Sequence, residues 1–195
     1  MVHPPIQIKA LVPDLMQDFL DFFESIEFRD HSDWSACYCH SFHFTGTAGE
    51  WTRENNKAAA IRMISAGQMM GYMAYHQGTP VGWCNANDRN NYQRMIQYKE
   101  IIEPSTDKIC SIVCFLVHPD FRKQGIATRI LERIEHDYIS MGYDWLEAYP
   151  GKGSRGQEEH YMGPPDLYLS RGFEIMKESE GYYLVRKSLG DRQET

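Results

Sequence analysis

A mixed α/β sheet with helices on both faces is the fold class that this 195-residue sequence predicts. Three observations carry the prediction. Strand-like runs outnumber helical ones, and several neighbouring runs are joined by short turn signals. One run, "KICSIVCFLV" (Lys108–Val117), is apolar almost throughout, as a central strand covered on both faces requires. At 42% hydrophobic the chain can bury a real core, and a single domain over 1–195 is the simplest organisation.

The elements follow in order. "IQIKAL" (Ile6–Leu11) alternates apolar and polar residues with period two, a half-buried strand. Pro13 and Asp14 open a helix in which Leu15, Phe19, Phe22, Phe23 and Ile26 recur at helical spacing. The aromatic stretch that follows has no clean period and reads as a structured loop. Glu50–Ala66 is rich in good helix formers, and Gly67 stops it. "GYMAYHQGTPVGWCNAN" is a hairpin turning at "QGTP", and the polar Asp88–Asp107 stretch reads as a surface excursion. After the central strand, Ile126, Ile130, Ile134 and Tyr138 form one helical stripe with Leu131 and Met141 beside it. "WLEAYP" is a short strand, and "GKGSRGQEEHYMG" a Gly-rich loop. "PPDLYLSRGF" is a helix with prolines in its first turn, and two closing strands turn at Glu180-Gly181. The polar tail 189–195 is expected to fray. The order is β-α-α-β-β-β-α-β-α-β-β, with no internal repeat.

Composition narrows the function. A formal net charge of −7 with scattered cations argues against a nucleic-acid partner and suits a positively charged substrate. No apolar run approaches the roughly 20 residues that cross a bilayer, and "MVHPPIQIKALV" shows no charged-then-apolar leader. Five cysteines, an odd number, read as free thiols in a reducing cytoplasm. In "CYCHSFHF", Cys37, Cys39, His40 and His43 are possible zinc ligands, but Cys-x-Cys is tighter than common zinc spacings and no second pair follows. We expect no metal; lining for an acceptor pocket is the simpler reading. Trp34, Tyr38, Phe42, Phe44, Trp83 and Tyr92 are candidates for an aromatic wall, with core packing accounting for most of them.

Between the central strand and the next helix stands "HPDFRKQG". The first turn of a helix presents N–H groups without internal partners, backed by the helix dipole. Arg122 and Lys123 add charge, and Gly125 permits a backbone conformation that a side chain obstructs. An anion site is the physical implication. GxxxxGK[ST] and GxGxxG are both missing, and Arg-x-x-Gly-x-Ala, Arg122–Ala127, is present.

That loop, with "FLVHPDFRKQGIATRIL" around it and "LYLSRGFE" later, resembles the GCN5-related N-acetyltransferase (GNAT) superfamily, whose pyrophosphate loop reads Q/R-x-x-G-x-G/A. The order of elements from Ile6 onward is similar too. The resemblance implies acetyl-CoA as co-substrate and a primary amine of a small molecule as acceptor. Arg122, Lys123, Gln124, Gly125, Ile126, Ala127 and Thr128 would cradle the pyrophosphate. Leu116 and Val117 would offer backbone partners to the pantetheine arm. The thioester would enter a gap between Val117-His118 and Ala148-Tyr149. Tyr168 matches the family's general acid toward coenzyme A. Many relatives carry a base on the central strand, but this one has no carboxylate; Glu147 on the next strand, His118, or water are the alternatives. The asparagine that many relatives carry after that next strand is replaced by "YPGKGSRGQ". Peptide acceptors, or a non-catalytic acyl-CoA-sensing module, are rival readings, and the closing strands leave a homodimer open. A thioacetyl route through Cys114 is disfavoured, since an apolar strand raises a thiol pKa.

Overall fold

The computed structural model describes residues 5–25, 36–95, 102–152 and 161–190. Among the described residues, seven strands and four α-helices occur in the order read from the sequence. They are β1 (Gln7–Ala10), α1 (Met16–Ser25), α2 (Arg53–Ser65), β2 (Gly71–His76), β3 (Thr79–Asp88), β4 (Ile109–Val117), α3 (Ile126–Ser140), β5 (Trp145–Ala148), α4 (Pro165–Leu169), β6 (Glu174–Glu178) and β7 (Tyr183–Ser188). One sheet holds all seven strands in the order β1-β2-β3-β4-β5-β7-β6. The β4–β5 pair is parallel and the other pairs are antiparallel. A parallel neighbour requires a crossover, and α3 supplies it.

Each face of the sheet carries its own core. The α3 stripe Ile126, Ile130, Leu131, Ile134 and Tyr138 packs on Cys84, Ala86, Cys110 and Ile112. On the other face, Phe19, Phe22 and Phe23 of α1 and Ala60 and Ile64 of α2 pack on Trp83, Cys114 and Leu116. Phe19 meets the Trp83 ring edge-on at 4.9 Å, the geometry aromatic quadrupoles favour. Burying each such large side chain is worth about 2–3 kcal/mol.

Strand β4 changes its alternation midway. Asn85 pairs with Cys114 but Ala86 pairs with Ile112, so Val113 is an extra residue, a β-bulge. Before it, Cys110 and Ile112 face α3; after it, Cys114 and Leu116 face α1 and α2 while Phe115 turns to the α3 side. A one-residue insertion inverts which face receives each side chain.

Some boundaries differ from expectation. Helix α2 begins at Arg53 because Thr52 caps it, its side chain accepting the Asn55 N–H, and a Thr47/Glu50 capping box closes a separate short turn just before it. The stretch after β3 is not purely a surface excursion: Arg89, Tyr92 and Met95 are buried. Met141, placed beside the α3 stripe, is exposed. Trp34, residues 153–160 of the Gly-rich loop and residues 191–195 of the tail lie outside the described residues.

Candidate active site

At the end of β4 the chain turns through Pro119–Phe121, and His118 Nδ1 accepts the Asp120 N–H at 3.2 Å. The loop then enters the left-handed region twice, at Lys123 (φ 59) and Gly125 (φ 76). Left-handed backbone is costly for a lysine, and such strain gathers where a loop must hold its amides in one direction. A Cβ on Gly125 would meet no protein atom within 4 Å, so conformation rather than crowding calls for glycine there. Helix α3 starts at Ile126 with no side-chain cap and no acidic residue in its first turn. Its first N–H groups and dipole therefore face the loop that carries Arg122 and Lys123. The Arg122 Nε–H donates to the Val117 carbonyl at 3.2 Å, tying the loop to the strand end.

Beside this loop β4 loses its second neighbour. It pairs with β5 only from Ile109 through Ile112, opposite Trp145–Ala148. The divergence thus begins earlier than the gap expected between Val117-His118 and Ala148-Tyr149. Beyond Ile112 the Phe115 N–H meets the carbonyl of Tyr161 at 2.5 Å. The next carbonyl, Met162, accepts the Tyr168 hydroxyl at 2.6 Å. Tyr168 is fully buried against Phe115 and Phe173, and burial pushes its phenol well above the ordinary value, so it stays protonated. Gly163 (φ 80) fits tightly here, because a Cβ would come within 2.9 Å of the Tyr168 hydroxyl. Tyr168 and β4's open edge are therefore neighbours, joined by two consecutive carbonyls.

Glu147 has a different setting. It is fully buried on the same face as Tyr149, as strand alternation predicts. Its carboxylate accepts from Arg186 Nε at 2.6 Å, Arg89 Nη1 at 3.4 Å and Ser111 Oγ at 3.2 Å, and from the Tyr149 hydroxyl. Every direction of approach is filled by a donor. Arg89 and Arg186 entered no sequence reading; a buried carboxylate's need for counter-charge is the only signal that would have sought them.

A pocket of about 290 Å³ opens on the α1/α2 side of β4. Cys114, Leu116 and Tyr161 bring it against the strand edge, Phe23 comes from α1, and the loop between α1 and α2 gives Cys37, Cys39, Ser41, Phe42 and Trp51. Of the proposed aromatic wall, Phe42 lines the pocket, Phe44 packs on Trp51, and Tyr38, Trp83 and Tyr92 are core. Trp51 and Phe23 were missed. Asn85 anchors the loop: its Nδ2 donates to the Cys39 carbonyl and Sγ at 3.3 Å, and its Oδ1 accepts from Tyr92 at 2.6 Å. An asparagine inside an apolar strand was the readable clue to that anchor.

The thiols differ although they share the pocket. Burial pushes Cys37 up to about 12. Cys114, donating to Cys39 and buried, lies well above its ordinary value. Burial opposes ionisation of Cys39 too, but hydrogen bonds from Cys114 and Asn85 hold it below the usual thiol value. The Trp83 indole N–H also approaches it, without hydrogen-bond geometry. On the same loop, burial holds His43 down to about 4. Its Nδ1–H donates to the Asn91 carbonyl at 3.1 Å, which leaves Nε2 as a buried lone pair without a partner. Among the described residues no group of three or more His, Cys, Asp or Glu converges to hold a metal ion, and no helix is long and apolar enough to cross a membrane.

Comparison with known proteins identifies the family and the fold. A model of the Acetyltransferase (GNAT) family matches residues 9–155, ending short of Tyr168. Among solved structures, the chain is similar to the PaiA N-acetyltransferase from Thermoplasma acidophilum in complex with coenzyme A, at 12% identity and TM-score 0.57, covering 94% of this chain and 99% of that one. It is similar to a GNAT-family acetyltransferase from Streptococcus pneumoniae at 15% identity and TM-score 0.57, covering 95% and 100%. The NatC complex bound to Gag peptide and CoA matches at 14% identity and TM-score 0.57, covering 95% and 99%. At these identities the likeness is one of fold. A search of curated proteins finds no match.

Proposed function

This chain belongs to the GNAT acetyltransferase family, and we propose that it transfers the acetyl group of acetyl-CoA to a primary amine by direct attack in a ternary complex. The observation that supports this most is the uncapped start of α3, behind the strained Lys123–Gly125 turn, lying beside the unpaired edge of β4. In this reading the amides of Gly125–Thr128 with Arg122 and Lys123 hold the pyrophosphate, Gln124 completes the turn, and the Leu116–Val117 backbone guides the pantetheine arm. The amine nitrogen bonds to the thioester carbon, the C–S bond breaks, the departing thiolate takes the Tyr168 proton otherwise held by the Met162 carbonyl, and water returns a proton to the phenolate. Amine protons leave to water, because Glu147 is held by two arginines rather than aimed at the pocket. Five free thiols fit a reducing, cytoplasmic setting.

A peptide N-terminus is the second reading, favoured by one observation: a structure of this fold is described bound to a peptide. The test is release of free coenzyme A from acetyl-CoA across a panel of amines and peptides. Amine-dependent release with acetylated product formed in equal amount is the expected result. Binding of coenzyme A with no transfer to any acceptor would instead make the protein an acyl-CoA sensor.

A further inference from the structure

The pocket beside β4 is small, and no ion pair lies among its described lining residues. Phe23, Phe42, Trp51 and Leu116 supply its walls, and Cys39 and Cys114 its floor. No Asp, Glu, Lys or Arg is among the described residues that line it. Among the described residues, nearby charges are engaged elsewhere: Glu24 with Lys57 and Tyr38, Asp18 with Tyr75, and Glu147 with Arg89 and Arg186. Arg94 faces outward from the loop's back, donating to the Ser41 carbonyl.

We infer that the acceptor is a small primary amine with an apolar or aromatic body and no second charge. The inference rests on the acetyl-transfer reading above and names its substrate class. A second ammonium in this pocket would lose water and find no carboxylate among the described lining residues in exchange, a heavy penalty for a buried ion. An apolar body instead gains contact with Phe42 and Trp51, and a volume of about 290 Å³ accepts one ring and a short arm rather than a peptide segment. The same desolvation acts on the reacting nitrogen. Taking an ammonium into an apolar cavity lowers its pKa, so the pocket itself favours the neutral form that attacks. Of the titratable groups around it, His43 stays neutral near pH 7 because burial holds it near 4, Cys37 stays protonated at about 12, and His40 is turned to Asn56. Among the described residues Tyr161 and Cys114 are the titratable groups on the strand side, and Cys39 is already engaged by Asn85.

The experiment measures kcat/KM with acetyl-CoA for 2-phenylethylamine, benzylamine, putrescine and a short peptide, in the wild type and in Ser41→Asp. Phenylethylamine should exceed putrescine about tenfold or more, the size of discrimination one apolar group gives. The added carboxylate should narrow or reverse that ratio. Across pH, the rising limb of kcat/KM should move with the solution pKa of whichever arylalkylamine is used. A wild-type preference for putrescine or peptide, or a limb fixed at one pH for both arylalkylamines, would overturn the inference while leaving acetyl transfer standing. Coenzyme A binding by calorimetry without transfer to any amine would sink both.

Discussion

The two halves of β4 make opposite uses of one strand. From Ile109 to Ile112 it has strand neighbours on both sides, and Ser111 joins Glu147, Arg89 and Arg186 in a largely buried polar network. From Val113 to Val117, among the described residues, it keeps β3 as its strand neighbour, opens to the pocket, and meets the Tyr161 carbonyl at Phe115. Between them stands the bulge at Val113. The contrast teaches how one sheet is both clamped and accessible: charge locks the divergence point, and the inverted alternation beyond it delivers Cys114 and Leu116 to the cavity.

The locked half should give the largest effect. Glu147→Ala leaves two guanidinium groups in a buried cavity, and we expect a loss of about 3–5 kcal/mol in urea unfolding. A loss below about 1 kcal/mol, the worth of an exposed pair, would erase the contrast.

Acid probes the loop over the open half. His43 has a folded-state pKa of about 4 against an ordinary 6.5, so the unfolded chain takes up its proton first as the pH falls. Its contribution is complete above about pH 6.5 and is lost as pH drops toward 4, about 3 kcal/mol in all. His43→Phe should flatten that limb of a stability–pH curve. An unchanged limb would assign acid sensitivity to other groups.

Tyr168→Phe sharpens the comparison at the chemical end. We expect kcat to fall about 100-fold with coenzyme A affinity almost unchanged, as the loss of an interaction made in the transition state requires. Gly125→Ala should be gentler: an L-residue forced left-handed costs about 1–2 kcal/mol, read as roughly tenfold weaker coenzyme A binding. Equal affinity would show that the turn relaxes without penalty.

Element order was legible because periodicity and turn residues are local properties. The stripe Ile126, Ile130, Ile134 and Tyr138, and the Arg122–Thr128 loop, lie where their spacing put them. The bulge was not legible. In a run as apolar as "KICSIVCFLV", moving one residue between faces leaves no trace in hydrophobicity. Nor was the ion network, since Arg89, Glu147 and Arg186 are brought together by sheet order across 97 positions of chain. The pocket was half-visible: the Cys37–Phe44 stretch reads as lining, and Cys37, Cys39, Ser41 and Phe42 of it do line the cavity, but Phe23 and Trp51 join it only through the packing of α1 and the turn before α2.

Calorimetric titration of the folded chain with coenzyme A tests the whole account most directly. We predict one site per chain, with affinity falling as salt rises because Arg122 and Lys123 contribute charge. No heat from a chain shown to be folded by circular dichroism would contradict it.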